Sequence, residues 1–323
     1  MGRPTGRRTS MRIRREIYKR IKDIPPEEYL GGGIGLCAGC GGLLALRLFH
    51  KALGANVVFV NAAGCLTLLA VFPFMPFHSS WLHTAMAAAP AGAQGIRDAL
   101  DLLIAKGRLS KEEDLKVVVV TSDGAAHSIG LQATLAAIHR GLDFYYFCYD
   151  NEAFGNTGFQ MSPASLLGSH TDTTPVTRAT PAGTQTHKQD LFKLWQAQDP
   201  AFVATVSPAY PLDLMDKVAR AGRVRGPKLF ISLSPCPPGW GVEPAESVEV
   251  AKLAVDTGVW PLKEVRDGEI VHTVRLRFHP VEEYLQRQTR YRHLFQPVRQ
   301  EEILRQLQDD VDQYWVETEG QAA

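Results

Sequence analysis

The sequence predicts an α/β fold with a mostly parallel sheet flanked by helices, and three observations in its central stretch support this prediction. Residues 116–121 form a β-branched run, long enough for one buried strand. Residues 125–139 carry apolar residues at helical spacing, and Gly141 ends that pattern. Residues 142–149 then indicate a second buried strand. Strand, helix and strand in this order predict a right-handed βαβ unit of a parallel sheet.

The same signals predict further elements along the chain. The expected helices are 43–53, 92–105, 211–221 and 246–258. The expected strands are 56–60, 202–206 and 228–233. Residues 106–114 are a charged connection, and residues 159–188, rich in Thr, Ser, Pro and Gly, indicate a functional or partner-binding loop. Two amphipathic helical segments, 281–294 and 300–317, are expected to pack on a partner or on the domain surface.

Composition limits the possible classes of function. The 323-residue chain is 45% hydrophobic and 21% charged, which is typical of a globular protein with a substantial core. Its net charge of +1 predicts no nucleic-acid binding. The first 23 residues hold nine basic residues, which we interpret as a solvated or partner-docking arm. A docking site for an acidic electron carrier is the alternative interpretation of this arm.

No membrane segment is expected. The apolar stretch 66–91 is broken by Pro73, Pro76, His78 and His83. The first residues lack the apolar core of a signal peptide. Five cysteines without an export signal favour metal binding or catalysis over disulfides.

Polar side chains follow both strands of the central βαβ unit. Asp123 lies at the carboxyl end of the first strand, and Asp150, Asn151 and Asn156 lie past the end of the second. Ligands of open α/β sheets bind outside the carboxyl ends of strands, and helix N-termini favour phosphate. Carboxylate, amide and carbonyl oxygens suit a hard cation such as Mg²⁺. These residues predict a magnesium-bridged diphosphate, although a helix cap at Asp123 and a turn at Asn151 explain them equally well.

Four of the five cysteines lie in loops rich in Gly or Pro: Cys37, Cys40, Cys65 and Cys236. Four thiolates ligate either zinc or a 4Fe-4S cluster. One CxxC pair with two isolated cysteines favours the cluster over zinc, which usually takes two such pairs. The fifth, Cys148, lies in an apolar strand and is expected to be a buried small hydrophobe. His127 follows the Asp-Gly turn, but we interpret it, like His78 and His83, as a structural histidine.

Several motifs together resemble one family, the thiamine-diphosphate-binding β subunits of pyruvate:ferredoxin and other 2-oxoacid:ferredoxin oxidoreductases. LCAGCGG (36–42) is similar to the family's CxGCG, and NAAGCL (61–66) to its N-A-T-G-C-L. SDG at 122–124 with DNEAFGNTGFQ (150–160) resembles its thiamine motif, and SPCPPGWG (234–241) resembles its APCPTGWG. The segments AKLAVDTGVWPL and PVEEYLQRQTRYRHL resemble its C-terminal portion, so the resemblance covers nearly the whole chain.

The resemblance implies three cofactors: thiamine diphosphate, Mg²⁺ and a 4Fe-4S cluster. The implied cluster ligands are Cys37, Cys40, Cys65 and Cys236. The implied magnesium ligands are Asp123, Asn151 and the carbonyl of Ala153. The implied cofactor-binding residues are Gly41, Ala63, Gly64, Cys65, Ser122, Asp123, Gly124, Ala125, Asn151, Ala153 and Asn156, with Asn156 as the catalytic one. The expected organisation is a basic arm and lead-in (1–33), a cofactor-binding α/β domain (34–279) and a C-terminal helical tail (280–323).

The resemblance also implies an activity, the oxidative decarboxylation of a 2-oxoacid with electrons passed to the cluster and on to ferredoxin. Other subunits, of the α, γ or δ type, are then expected to carry coenzyme A binding, further clusters and the glutamate that activates thiamine. We expect a cytoplasmic protein with no membrane or nucleic-acid partner. A zinc-stabilised binding subunit without redox chemistry, and a redox-free thiamine decarboxylase with a structural metal, are the competing interpretations.

Two departures from the family pattern concern the cofactor and the substrate. Ser122 replaces the first glycine of the usual GDG, and it can keep the turn if its φ is negative. The loop after Cys65 differs from that of pyruvate enzymes, which leaves oxalate and branched or aromatic 2-oxoacids open as substrates. Residues 71–81 contain bulky aromatic side chains and neither Arg nor Lys. Because a buried unpaired carboxylate is costly, this loop favours pyruvate over oxalate.

Overall fold

The computed structural model describes residues 17–319. The predicted basic arm up to residue 16, and the last residues of the predicted tail, 320–323, lie outside this range. The strands are β1 Val57–Ala62, β2 Ser80–Thr84, β3 Lys116–Ser122, β4 Tyr145–Asp150, β5 Phe202–Val206, β6 Lys228–Leu233, β7 Lys263–Arg266 and β8 Glu269–His272. The helices are α1 Gly41–Leu53, α2 Ala89–Ala105, α3 Leu131–His139, α4 Leu191–Gln196, α5 Pro211–Ala221, α6 Pro237–Trp240, α7 Ser247–Asp256, α8 Val281–Gln286 and α9 Glu301–Glu319.

All eight strands form one sheet in the order β2-β1-β3-β4-β6-β5-β7-β8. The first six of these are parallel, while β7 pairs antiparallel with both β5 and β8. Parallel sheets must be covered on both faces, which explains why the central strands are continuous apolar runs. The predicted α/β class with a mostly parallel sheet is therefore confirmed.

Alternate residues of each strand contribute to two hydrophobic cores, one on each face of the sheet. Val117 and Val119 of β3 belong to one core, which also includes residues of α2, α3 and α7. Val118 and Val120 belong to the other, with residues of α1 and α5. The period of two in side-chain direction thus divides each buried strand between the two faces.

The C-terminal segments pack onto the first of these cores. Tyr284 and Leu285 of α8, and Leu304 and Leu307 of α9, are buried in the same cluster as the sheet residues. Between the two helices lies a 3₁₀ turn, Thr289–Leu294, where the sequence suggested continuous helix. The apolar stripes predicted for this tail therefore cover the sheet domain itself.

Two other predicted elements differ in detail. The helix expected from residue 125 begins as a π-helical turn, Ala125–Ile129, and α3 follows only after Gly130. Strand β2 lies in a stretch that the sequence suggested was irregular. Among residues 17–319, no helix is both long and apolar enough to cross a membrane.

Candidate functional site

Four neighbouring strands bring the predicted site residues to one edge of the sheet. Strands β1, β3, β4 and β6 are adjacent and parallel, so their carboxyl ends meet there. Ala63, Gly64 and Cys65 follow β1, and Asp123 and Gly124 follow β3. The residues 151–156 follow β4, and Cys236 lies three positions after the end of β6. Ser122 is the last residue of β3. Its φ lies outside the left-handed region, which is the condition under which a serine can replace the glycine of this turn.

Three oxygen-bearing groups converge at the ends of β3 and β4. The tip of the Asn151 side chain lies 2.9 Å from Asp123 Oδ1 and 2.7 Å from the carbonyl oxygen of Ala153. With its nitrogen turned inwards, the amide would donate a hydrogen bond to both oxygens. With its oxygen turned inwards, the amide completes a set of three oxygens, from the Asp123 carboxylate, the Asn151 amide and the Ala153 carbonyl. None of these oxygens can donate a hydrogen bond to the others. A hard cation stabilises such a set, so these groups fit Mg²⁺.

The Asp123 carboxylate is completely buried, which makes its charge expensive without a cation. Burial, and then the nearby charge of Asp150, raise the pKa of Asp123 well above its usual value. The Ser162 hydroxyl donates a hydrogen bond to Asp123 Oδ2, and the ammonium of Lys188 opposes the rise in pKa. A bound cation would hold this carboxylate in its ionised form.

Asp150 is the second buried carboxylate of this edge, and Lys188 neutralises it. Lys188 Nζ lies 2.7 Å from Asp150 Oδ2 and 3.3 Å from Glu152 Oε1. Burial alone would lower the pKa of Lys188, but the two carboxylates outweigh it and raise that pKa to about 12. Lys188 is therefore a fixed positive charge behind the oxygen set.

Glycines allow the backbone to pack closely around this edge. A Cβ atom at Gly124 would lie 2.2 Å from the Phe154 ring, and one at Gly64 would lie 2.4 Å from Tyr149 Oη. A Cβ at Gly155 would lie 2.6 Å from Asn151 Nδ2. Any side chain at these three positions would therefore clash with the protein itself, which is why glycine is required there.

The four loop cysteines lie beside this site. Burial, and then the charges of Cys236, Cys40 and Cys37, raise the pKa of Cys65 to about 12. The other three thiols are therefore near enough to affect the pKa of Cys65. Gly41 N donates a hydrogen bond to Pro235 O over 3.0 Å, which joins the loops of Cys40 and Cys236.

The thiol set agrees in chemistry with the predicted 4Fe-4S ligands. Cys37 is exposed, and Cys40, Cys65 and Cys236 are partly buried, in contrast to the fully buried Cys148. Among residues 17–319, however, no three side chains of His, Cys, Asp or Glu are close enough together to hold one metal ion. Burial as an isolated thiol, the prediction for Cys148, agrees with its place inside β4.

The remaining predicted residues lie on the same loops and helix starts and differ in how far they are buried. Gly41 is the first residue of α1, and Ala125, the first of the π-helical turn, is buried. Asn156 belongs to the same loop as Asn151, but its side chain is exposed. His127 is buried, with Nδ1 bonded to Gln189 Oε1 at 3.1 Å, as expected of a structural histidine.

Sequence reasoning missed five residues that support the oxygen set: Glu152, Ser162, Lys188, Trp240 and Arg290. Glu152 lies inside the recognised DNE motif, which was the only available signal for its role. Ser162 and Lys188 lie at the two ends of the long irregular stretch, whose length did predict a functional loop.

Comparisons with known proteins agree with this geometry. The model of the thiamine pyrophosphate enzyme C-terminal TPP-binding domain matches residues 62–231, which include Asp123 and Asn151. The pyruvate synthase subunit PorB of Methanothermobacter thermautotrophicus is 41% identical over 273 residues, 84% of this chain and 92% of the relative. PorB of Pyrococcus furiosus is 34% identical, covering 92% of this chain and 95% of the relative.

The similarity also extends to subunits named for another substrate. The ketoisovalerate oxidoreductase subunit VorB of Pyrococcus horikoshii is 35% identical over 88% of this chain and 91% of the relative. A solved 2-oxoglutarate:ferredoxin oxidoreductase of Magnetococcus marinus shares the fold, with a TM-score of 0.52 and 18% identity over 80% of this chain and 89% of that chain. The chain therefore belongs to the thiamine-diphosphate-binding β subunits of the 2-oxoacid:ferredoxin oxidoreductases, the oxidoreductase family of PorB and VorB.

Proposed function

We propose that this subunit binds thiamine diphosphate through Mg²⁺ and a 4Fe-4S cluster through its four loop cysteines, and that it performs the oxidative decarboxylation of a 2-oxoacid. The observation that carries the proposal is the meeting of an oxygen set and a thiol set at one sheet edge. An added Cβ at Gly155 would lie 2.6 Å from Asn151 Nδ2 and 3.5 Å from Cys65 Sγ. The loop after β4 therefore touches both sets at a single residue.

The residues of this chain would hold and orient the cofactor. Asp123, the Asn151 amide oxygen and the Ala153 carbonyl would ligate Mg²⁺, which would offset the negative charge of the diphosphate. Gly64 and Gly124 let the backbone of this edge pack against Tyr149 and Phe154, and Asn156, exposed at the edge of the loop, is the proposed catalytic side chain. When bound, thiamine diphosphate supplies the carbanion stabilisation that lets carbon dioxide leave a 2-oxoacid.

The cysteines would hold the acceptor for the electrons that are released when the decarboxylated 2-oxoacid is oxidised. When bound, the cluster supplies a one-electron acceptor beside the cofactor. Cys37 and Cys40 line a cavity of about 700 Å³ that also includes Arg47 and Val248. We propose that electrons leave through this exposed side towards other subunits and ferredoxin. Coenzyme A, the further clusters and the thiamine-activating glutamate would belong to those subunits.

Pyruvate is the first substrate that we propose, with oxalate or another 2-oxoacid as the alternative. The loop on which this choice depends divides into two parts. Phe77 is buried and stacks on Trp81 at 4.3 Å, whereas Phe72 is 95% exposed and Phe74 is 71% exposed. The two exposed rings could form an apolar substrate wall only together with a partner subunit. The absence of Arg and Lys from residues 71–81 still favours a monocarboxylate.

Purification under strictly anaerobic conditions tests the cofactors. We expect a brown protein with broad visible absorbance, four iron atoms per chain and bound thiamine diphosphate, as a 4Fe-4S cluster requires. Stoichiometric zinc without iron would favour the zinc-stabilised binding subunit. Thiamine without iron would favour the redox-free decarboxylase.

The assembled complex tests the activity. We expect the chain alone to be inactive, and co-expression with its partner subunits to give coenzyme A-dependent reduction of a low-potential acceptor. Values of kcat/KM should be compared for pyruvate, oxalate, 2-oxoisovalerate and phenylglyoxylate. Turnover of oxalate with no turnover of pyruvate would show that the loop argument is wrong.

A cytoplasmic location remains the expectation for this enzyme.

A further inference from the structure

The turn that carries two of the three cation-binding oxygens has an unfavourable backbone conformation. Glu152 lies between Asn151 and Ala153, and its φ is +64°. Left-handed backbone is disfavoured for residues with a side chain, and it persists only where the surroundings enforce it. The residues around Glu152 therefore have to hold the turn in place.

Three hydrogen bonds fix the peptide groups of this turn. Trp240 Nε1 donates to the carbonyl oxygen of Asn151 at 2.9 Å. Glu152 N donates to Asp150 Oδ1 at 3.0 Å, and Ser165 Oγ donates to the carbonyl oxygen of Glu152 at 2.6 Å. These bonds occupy the Asn151 carbonyl, the Glu152 N–H and the Glu152 carbonyl, none of which belongs to the oxygen set. The Asn151 side-chain amide lies 2.9 Å from Asp123 Oδ1 and 2.7 Å from the carbonyl oxygen of Ala153.

The Glu152 side chain is held by a residue of the C-terminal tail. It is 1% exposed, and its Oε2 lies 2.5 Å from Nη2 of Arg290, which is 3% exposed. Its Oε1 is 3.3 Å from Lys188 Nζ, which lies closer to Asp150, at 2.7 Å. Two acidic side chains, Asp150 and Glu152, thus meet two basic ones, Lys188 and Arg290.

Three further residues contact the Arg290 guanidinium, while its Nη1 has no hydrogen-bond partner among the described residues. Its guanidinium lies 4.2 Å from the centre of the Trp240 ring and 4.8 Å from that of Tyr291. Gln288 Oε1 accepts hydrogen bonds from Arg290 Nε at 2.9 Å and from Nη2 at 2.7 Å. A planar, stacked guanidinium can satisfy these contacts, whereas a lysine ammonium would keep only the charge. The same side chain thus contacts both Glu152 and the indole that binds the Asn151 carbonyl.

We propose that Arg290 is a positioning residue of the cation site, acting through Glu152 and Trp240 to hold the turn 151–153 in its ligating conformation. This inference rests on the proposed function, since it assumes that Asn151 and Ala153 bind the cation of the cofactor. The C-terminal tail is then part of the cofactor site, although it contributes no ligand.

Binding of Mn²⁺, a spectroscopic substitute for Mg²⁺, tests the role of Arg290. The free ion is measured by EPR on the full chain in its assembled complex, at fixed thiamine diphosphate. Removing a residue that orients metal ligands typically weakens metal affinity 10- to 100-fold. We expect roughly 10-fold weaker binding for Arg290→Lys and roughly 100-fold for Arg290→Gln. Glu152→Gln added to Arg290→Gln should restore part of the affinity, because without Arg290 the buried Glu152 carboxylate has to share Lys188 with Asp150.

The matched control is Arg287→Gln in the same tail. The Arg287 guanidinium lies 3.0 Å from Glu246, and both side chains are exposed, so its loss should leave Mn²⁺ affinity unchanged. Hydrogen exchange of residues 150–156 without metal should accelerate in the Arg290 variants and not in the control. If Arg290→Gln does not fold, Arg290→Lys still provides the comparison.

The outcomes separate the inference from the proposed function. Failure of the parent to bind Mn²⁺ with thiamine diphosphate would overturn the proposed function. A parent that binds, with folded Arg290 variants that bind equally well, would overturn only the role of Arg290. Equal weakening by the Arg287 and Arg290 variants would also overturn it, because the effect would then belong to the tail as a whole.

Discussion

Replacing Asp123 with asparagine separates the two properties of its carboxylate, its charge and its shape. The side chain is buried, its Oδ2 accepts a hydrogen bond from Ser162, and its Oδ1 lies 2.9 Å from the Asn151 side chain. Asparagine has the same size and can still accept the bond from Ser162. Its nitrogen, placed at Oδ1, would donate to the inward-facing oxygen of Asn151. The variant therefore keeps the packing and loses the negative charge that a cation requires.

The expected magnitude follows from ligand-linked stability. A ligand present at 100 times its Kd stabilises a folded protein by about 2.7 kcal/mol. An unfolding entropy of about 2.1 cal/mol/K per residue, applied to 323 residues, means that 1 kcal/mol shifts Tm by roughly 1.5 °C. Saturating Mg²⁺ and thiamine diphosphate should therefore raise the Tm of the parent by about 4 °C. The Asp123→Asn variant should gain less than about 1 °C.

The ion-free proteins should show the opposite order. Without a cation, burial and Asp150 disfavour the ionised form of Asp123, and the neutral amide of Asp123→Asn avoids this cost, so the Tm of the variant should equal or exceed that of the parent. Differential scanning calorimetry with and without the two ligands measures both effects. The control is Asp309→Asn, the same change at an exposed position of α9. An Asp123→Asn protein that gains as much from the ligands as the parent would refute the cation site.

Three further perturbations test other parts of the structure. Cys236→Ala should abolish the visible absorbance of the anaerobic protein because one cluster ligand is lost, whereas Cys148→Ala, inside β4, should leave it unchanged; equal loss in both would contradict the ligand assignment. Asn151→Ala should weaken Mg²⁺-dependent thiamine diphosphate binding in isothermal titration less than Asp123→Ala, since it removes a neutral ligand, and the reverse order would place the main ligand elsewhere. Burial lowers the pKa of Lys263 to about 8, so the folded state penalises its charge in full below pH about 8 and loses that penalty as the pH rises towards 10.5. Lys263→Met should accordingly stabilise the chain by up to about 3 kcal/mol in denaturant titrations at pH 7, and the gain should shrink above pH 8; a gain independent of pH would show that the charge is not its cause.

The parts of the fold that could be predicted are those whose burial leaves a local pattern. Strands β5 and β6 and helix α5 begin and end where the sequence suggested, because a strand buried on both faces is a continuous apolar run. Strand β2 was missed because it is an edge strand whose residues are partly or fully exposed. The short pair β7 and β8, with sequences KEVR and EIVH, offers no such run either.

The residues of the candidate site likewise divide into those that a local sequence pattern predicts and those that only tertiary packing brings together. Asp123, Asn151 and Cys65 could be placed together because each follows a parallel strand, and parallel strands share one carboxyl edge. Lys188 and Arg290 could not be placed, since they reach the site from an irregular loop and from the tail. Their pairing with Asp150 and Glu152 depends on tertiary packing and leaves no spacing in the sequence.

The short helix α6 restricts how the chain length can vary at this edge. Cys236 precedes its first residue, and Trp240, the donor to the Asn151 carbonyl, is its last. One inserted residue would rotate the indole by about 100° around the helix axis relative to the thiol and shift it by about 1.5 Å. A Cβ at Gly239 would lie 2.1 Å from the Phe159 ring, so the space beside the helix cannot absorb such a change. An insertion or deletion between Cys236 and Trp240 should therefore break the hydrogen bond from Trp240 to the Asn151 carbonyl or move the Cys236 thiol away from the other three.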